Sequence, residues 1–594
     1  MSRFILTIIS FHFILQLIHC LSIKRIQDNS KIITNEIQLA DINIAVLSTV
    51  REQPSKNSCN VKNSAISSRF LQSLYLVKKG IDDVNRDDSF LPNITIGYVF
   101  IDTCNLVPKT IKHSVQLIPR VNDQTCSKSN QEMEYFDIQA VIASISSSES
   151  VQLSSLLSRF NIPQISPMST SDDLSDKVRY EYFTRIVSPD RFQAEALTDF
   201  ILEYHWNYVS ILFIEGSYGE NGAKQLRKLS SIKGICIAVD EMISLDNSIE
   251  DIEKAVKKIS NHPNAEIIII FLYPGETKML YDQLEKAQLL NIKYVLASDG
   301  MSFIQIPSVL EKRVYNTFGI AFQYRNVPGS FEFLTTINPV RNPNLLYIND
   351  YWSRLFDCTW ERNNNTSKKL CDPETNLTAA NFQIAADSLE YDCFLVLIKA
   401  INRVIQRFCP GISRSKVRNC VTGQRLLKEI RTGSFNTTLG NIQFDKNGDV
   451  YGGYNLVQYT HNGKWNVVGR WSREKPGVEP LEKIIWPESY VPVSVCSKPC
   501  PPKHYFIQKA VVCCWDCRKC RNNEIVIDNR TGCEECPEFF WPDREALKCV
   551  AIEADYLKWS DFESVIILAS GIVVEFIDNV FLSDEAKRWN LWSE

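Results

Sequence analysis

Nine of the nineteen cysteines lie in the 54 residues from Cys496 to Cys549. Cysteines at that density either pair as disulfides or hold a metal, and Cys514-x-x-Cys517-x-x-Cys520 has zinc-ligand spacing. The redox compartment decides between the two. Arg3 precedes an apolar run, Phe4 to Ile18, and Cys20 and Ser22 follow it. That order reads as a secretory signal peptide over residues 1–22, so disulfides are expected and no metal site is. The seven histidines show no metal spacing. The chain also lacks a nucleophile–base constellation, a phosphate loop and a zincin motif, so neither an enzyme nor a cofactor is expected. One polar triplet could bind an anion. Ser146-Ser147-Ser148 follows an apolar run and opens an amphipathic stretch, where hydroxyls and backbone N–H groups at a helix N-terminus would meet a carboxylate. Ordinary capping accounts for such serines equally well.

The elements that must position these residues alternate between two periods. Ala140 to Ile145 reads as a buried strand, Ser150 to Phe160 as a helix and Ile162 to Ile165 as a strand. The pattern recurs in Tyr208 to Ile214, Gly222 to Ser231 and Ile235 to Val239, and again in Glu266 to Leu272, Thr277 to Leu289 and Lys293 to Ala297. Strand–helix–strand at this spacing means βαβ units on parallel sheets, with ligand sites at the carboxyl ends of the strands. More than 400 such residues exceed one doubly wound sheet, which calls for two lobes. After Pro487 the apolar runs give way to a small module that disulfides must hold together. Hydrophobic content of 44% is ordinary for a globular protein, and a net charge of -4 offers nothing to nucleic acid. Sequons at Asn93, Asn364, Asn365, Asn376, Asn436 and Asn529 suit a secreted glycoprotein.

Longer motifs carry a resemblance. Cys496-Ser-Lys-Pro-Cys500, Val511-Val-Cys-Cys-Trp-Asp-Cys-Arg-Lys-Cys520, Gly532-Cys-Glu-Glu-Cys-Pro-Glu-Phe-Phe-Trp-Pro542 and Lys548-Cys-Val550 resemble the cysteine-rich stalk of class C G-protein-coupled receptors. Tyr556 to Ser564, YLKWSDFES, resembles the metabotropic glutamate receptor junction into the first membrane helix. Leu91 to Gly97, Asp102-Thr-Cys104, Glu215 to Glu220 and Asp173 to Asp176 are similar to the bilobed Venus-flytrap domain of that family. The resemblance runs from about Cys59 to Val573. It implies an α/β, periplasmic-binding-protein-like domain over 40–486, followed by a disulfide-rich stalk over 487–553. Lobe 1 would take about 40–187 and 322–454, and lobe 2 about 188–321 and 455–486. An incomplete first membrane segment at 562–582 and a divergent tail at 583–594 would follow, because the apolar run Val565 to Val574 is half the roughly twenty residues a span needs.

The same resemblance implies an α-amino acid ligand. Ser147, with Ser148 and Thr170, would take its carboxylate from lobe 1, while Asp190, Tyr218 and Asp299 would hold its ammonium from lobe 2. A ligand touching both lobes would favour their closure. Cys59 with Cys104, Cys358 with Cys371 and Cys409 with Cys420 match lobe disulfides of the family. The odd stalk cysteine among Cys496, Cys500, Cys513, Cys514, Cys517, Cys520, Cys533, Cys536 and Cys549 would reach Cys236. Cys126 matches an interchain bond, which implies a disulfide-linked homodimer. A heterotrimeric G protein would couple only through a seven-helix region this chain lacks. Cys393 has no partner to name and reads as a small buried hydrophobe.

The chain departs from the family where glutamate's side-chain carboxylate would be held. The family's basic residues map to Ser73, to about Ile304 and to about Ala386, the last followed by Asp387, Glu390 and Asp392. Arg69, one turn before Ser73, could substitute. The preferred amino acid is therefore glutamate held through Arg69, or one with a neutral or basic side chain. A secreted amino-acid-binding protein and a calcium-sensing-type ectodomain remain alternatives, the latter from Gly97 to Asn105.

Overall fold

Runs of aliphatic and β-branched residues, buried on both faces, build the centre of two sheets. The computed structural model describes residues 36–51, 66–118, 136–302, 316–323, 325–360, 368–375, 377, 389–460, 465–486, 490–553, 556 and 558–589. The first sheet contains β1 (Glu36–Gln38), β2 (Ile42–Ser48), β3 (Ile96–Asp102), β4 (Ala140–Ile142), β5 (Gln164–Ser166) and β6 (Phe183–Arg185), in the order β1-β3-β2-β4-β5-β6. All neighbours are parallel except β1, which pairs antiparallel with β3.

The second sheet begins with β7 (Tyr208–Ile214), β8 (Cys236–Ile243), β9 (Ile267–Phe271), β10 (Tyr294–Ala297) and β11 (Thr317–Phe322). Two small pairs follow, β12 (Cys358–Thr359) with β13 (Lys369–Leu370) and β14 (Ser434–Thr437) with β15 (Gly440–Gln443). The chain then returns with β16 (Tyr454–Tyr459), β17 (Trp465–Ser472) and β18 (Lys475–Pro480), giving the order β18-β17-β16-β11-β10-β9-β7-β8. Strands β7 to β11 run parallel and the returning three antiparallel. The three βαβ units appear where the apolar periods place them. The fold is thus α/β with two parallel-centred lobes.

Five helices position the site: α1 (Ser68–Arg86), α2 (Ser147–Arg159), α3 (Asp190–Glu203), α4 (Ser217–Lys233) and α5 (Leu389–Phe408). The first and last crossings between lobes are clasped together. Arg185 N donates to Gly448 O at 3.1 Å, Gly452 N to Ser188 Oγ at 2.9 Å, and Tyr454 OH to Ser188 O at 3.3 Å. The Arg185 guanidinium meets Asp449 at 2.7 Å, both groups fully buried.

The chain divides into two compact units, residues 1–496 and 497–594. The strap Tyr490–Cys496 is bonded to the residues around β7. Ser494 O accepts from Asn207 N and Tyr208 N, Ser494 Oγ donates to Tyr208 O at 2.5 Å, and Trp206 Nε1 donates to Pro492 O at 2.8 Å. Composition marks where the cysteines begin but carries no sign of these backbone bonds.

In the second unit, three two-stranded pairs are stapled by Cys500–Cys517, Cys520–Cys533 and Cys536–Cys549. Cys520 and Cys533 lie with Glu524 in a metal-like cluster, but their sulfurs are consumed by their mutual bond. Cys358–Cys371 and Cys409–Cys420 form as expected, and Cys104, Cys236, Cys496, Cys513 and Cys514 are disulfide-bonded too. Cys393 is buried and free. Cys59, Cys126 and the signal segment lie outside the described residues. Phe562–Trp589 forms one 28-residue helix, α6. Among the described residues no helix is long and apolar enough to cross a membrane.

Candidate functional site

Every anticipated ligand residue except Arg69 follows the carboxyl end of a parallel strand, where helix N-termini gather. Ser147 opens α2 after β4, Thr170 follows β5, Asp190 opens α3 after β6, Tyr218 lies in the first turn of α4 after β7, and Asp299 follows β10. The turn after β5 is folded onto the start of α2. Ser147 Oγ accepts from Thr170 N and Ser171 N, both at 3.1 Å. With its lone pairs so occupied, this hydroxyl has a proton left to offer. Thr170 O accepts from Asp190 N at 2.8 Å, and the buried Thr170 hydroxyl neighbours the Asp190 carboxyl.

The lobe 2 side is a bonded cluster around two acids. Tyr218 OH lies 2.6 Å from Ser298 Oγ, donates to Asp299 Oδ1 at 2.9 Å and accepts from Gly300 N at 3.1 Å. Its ring stacks on Tyr273 with centroids 5.6 Å apart. Gln193, one turn into α3, links the acids: its Nε2 donates to Asp190 Oδ1 at 3.2 Å and its Oε1 accepts from Asp299 N at 3.3 Å. Burial, and then the nearby charges of Asp299 and Asp172, hold the Asp190 carboxyl well above the usual carboxylate range. Burial likewise pushes Asp299 up to about 6, against the bonds from Tyr218 and Gln193. Two desolvated acids at close quarters resist joint ionisation, and a cation placed between them would relieve both.

The lobes also touch directly. Ser171 Oγ lies 2.7 Å from Ser217 Oγ, and Asn221 Nδ2 donates to Asp173 Oδ2 at 2.9 Å. A β-carbon at Gly216, whose φ is +107°, would come within 3.0 Å of Ser148 Oγ, so glycine is needed there for both conformation and approach.

Arg69 is half-buried in the first turn of α1, with its guanidinium 5.7 Å from the Phe70 ring centroid. Ser73, fully buried one turn on, donates to Glu390 Oε2 on α5 at 2.7 Å. Asp392 is committed to Thr438. Ile304, Ala386 and Asp387 lie outside the described residues. Asn93, Asn436 and Asn529 are exposed, and Asn364, Asn365 and Asn376 also lie outside the described residues. Sequence reasoning missed Gln193, whose signal is its place three residues after Asp190 on a helix start. It also missed the Arg185–Asp449 clasp and the Asn221–Asp173 contact, which no local pattern announces.

Residues 77–462 match the family described as receptor family ligand binding region, and residues 491–542 match the nine cysteines domain of family 3 GPCR. Among curated proteins the chain is similar to metabotropic glutamate receptor 8 of Mus musculus and of Homo sapiens. Each is 28% identical over 500 residues, covering 81% of this chain and 55% of the relative. Metabotropic glutamate receptor 4 of Mus musculus is 28% identical over 515 residues, covering 83% of this chain and 56% of the relative. The chain spans about half the length of these relatives.

Proposed function

We propose, because this chain belongs to the metabotropic glutamate receptor-like class C G-protein-coupled receptors, that it binds an extracellular α-amino acid between its lobes and is switched by their closure. The single observation that carries this reading is the gathering of two kinds of polar group at one set of strand ends. One kind is the hydroxyls of Ser147 at the start of α2 and of Thr170, whose N donates to Ser147 Oγ, and the other is the Gln193-linked pair Asp190 and Asp299. A carboxylate suits the first set and an ammonium the second. Tyr218 would lie against the ammonium, its ring held by Tyr273.

The ligand's side chain is read as other than glutamate's. Where the family's arginine would stand, Ser73 is bonded to the Glu390 carboxyl, and an acidic side chain brought there would lose the charge-assisted bonds that basic residues provide. In this reading the described region supplies ligand binding at the extracellular side of the plasma membrane. A homodimer linked through Cys126 and a G protein engaged by a seven-helix region complete the receptor, and no catalytic role is proposed.

Calorimetric titration of the purified chain with a panel of L-amino acids tests the reading. Saturable binding of at least one amino acid, abolished by Asp299→Ala, is the expected result. A folded protein that binds none of the panel would overturn it.

A further inference from the structure

The contact between Asn221 and the turn after Thr170 makes no use of a ligand. Asn221 is almost fully buried on α4 of lobe 2, and its amide nitrogen lies within bonding distance of two lobe 1 acceptors: Asp173 Oδ2 at 2.9 Å and Ser171 Oγ at 3.1 Å. Ser217, one turn earlier on the same face, donates to Asp173 Oδ2 at 3.2 Å and lies 2.7 Å from Ser171 Oγ. These four side chains satisfy one another across the lobes, so none of them is held ready for a ligand.

The lobe 1 half of this cluster is rigidly mounted. Ser171 N is bonded to Ser147 Oγ at 3.1 Å, and Ser171 O accepts from Arg185 Nη1 at 2.9 Å. Arg185 also accounts for the clasp to Asp449, so the turn is tied to the crossing segments about which the lobes would move. Thr170, a proposed ligand contact, is the immediate neighbour of Ser171. Ligand contact and lobe contact therefore share one turn, and whatever orders the turn favours both.

We propose that Asn221 and Ser217 of lobe 2, with Ser171 and Asp173 of lobe 1, form a latch that stabilises the closed lobes in the absence of any amino acid. Asn221 is then a positioning residue that sets the resting population of the closed state, and through it the apparent affinity for an amino acid it never touches. The inference rests on lobe closure as read above, but not on the identity of the ligand. Asp173 is exposed, which keeps the contribution modest: breaking the Asn221 bonds shifts the closed-to-open ratio by roughly two- to tenfold.

The test is single-molecule energy transfer between one dye on each lobe of the full chain, in buffer without amino acid, with a thermal melt of every variant. Asn221→Asp sets a carboxylate against Asp173 and should lower the closed-to-open ratio by that factor or more, with Asn221→Ala showing the smaller loss. The exchanged pair, Asn221→Asp with Asp173→Asn, restores one donor and one acceptor and should recover most of the ratio, which a purely structural role for Asn221 would not produce. An unchanged ratio in both single variants, or no recovery in the exchanged pair, would overturn the latch. Failure of the amino-acid reading would appear separately, as absent titration heat in a protein whose lobes still exchange.

Discussion

Arg185 and Asp449 form a fully buried ion pair, Nε to Oδ1 at 2.7 Å, although 264 residues separate them in the chain. The same arginine holds Ser169 O, Ser171 O and Ser175 Oγ, so one guanidinium fixes both a lobe crossing and the turn that carries Thr170. Removing one partner strands a buried charge. Asp449→Ala should therefore cost about 3–5 kcal/mol of stability, read from urea denaturation. Burial alone would raise the Asp449 carboxyl, but Arg185 outweighs it and holds the group below its ordinary value. The pair's contribution is thus present above the usual aspartate range near 3.8 and is lost as pH falls below it. A variant as stable as the parent at pH 7 would contradict this account of the clasp.

Asp299 carries the opposite sign. Its folded carboxyl titrates at about 6 instead of 3.8 because it is buried. At neutral pH the ionised group therefore destabilises the unliganded fold, and the penalty disappears as pH falls from about 6 toward 4. Asp299→Asn should raise the melting temperature at pH 7.4, by a gain of at most about 3 kcal/mol, with the advantage shrinking below pH 5. A variant less stable than the parent at pH 7.4 would refute the buried-charge reading.

The proposed dimerisation rests on Cys126, outside the described residues. A non-reducing gel should show a band that halves in mass on reduction, and Cys126→Ser should run as monomer under both conditions. Monomer throughout, before any reduction, would exclude the covalent dimer.

The proposed ligand selectivity rests on Ser73 and Glu390. Glutamine and glutamate differ by one charge at nearly constant shape, so their comparison isolates the missing cations. Glutamine should bind at least tenfold more tightly, since each lost charge-assisted bond is worth about 1.5–3 kcal/mol. Tighter binding of glutamate would return the role to Arg69.

Much of the fold was legible because its strands are continuous apolar runs; Tyr208–Ile214 was placed to the residue. The serine triplet marks the start of α2 at Ser147, whereas α4 begins at Ser217, five residues before the expected 222, because the polar residues and glycines that open it carry no apolar period. The stalk pairings were not legible, since nine cysteines in a short span admit many connectivities. Asp190 and Asp299 could be named singly, but Gln193, which joins them, resembles any helix glutamine until β10 is folded beside α3. Glu390 could be seen as acidic, and only its bond to Ser73 shows where its charge sits.

The central claim, that the cleft holds both ends of a zwitterion, is tested most directly by titrating the tightest-binding L-amino acid beside its N-acetyl derivative. Calorimetry should show saturable binding of the free amino acid and none of the acetylated one, and no binding of either to the Asp190→Asn, Asp299→Asn double variant. Equal affinity for the acetylated compound, or undiminished binding by a folded double variant, would contradict the assignment of the ammonium to these two acids.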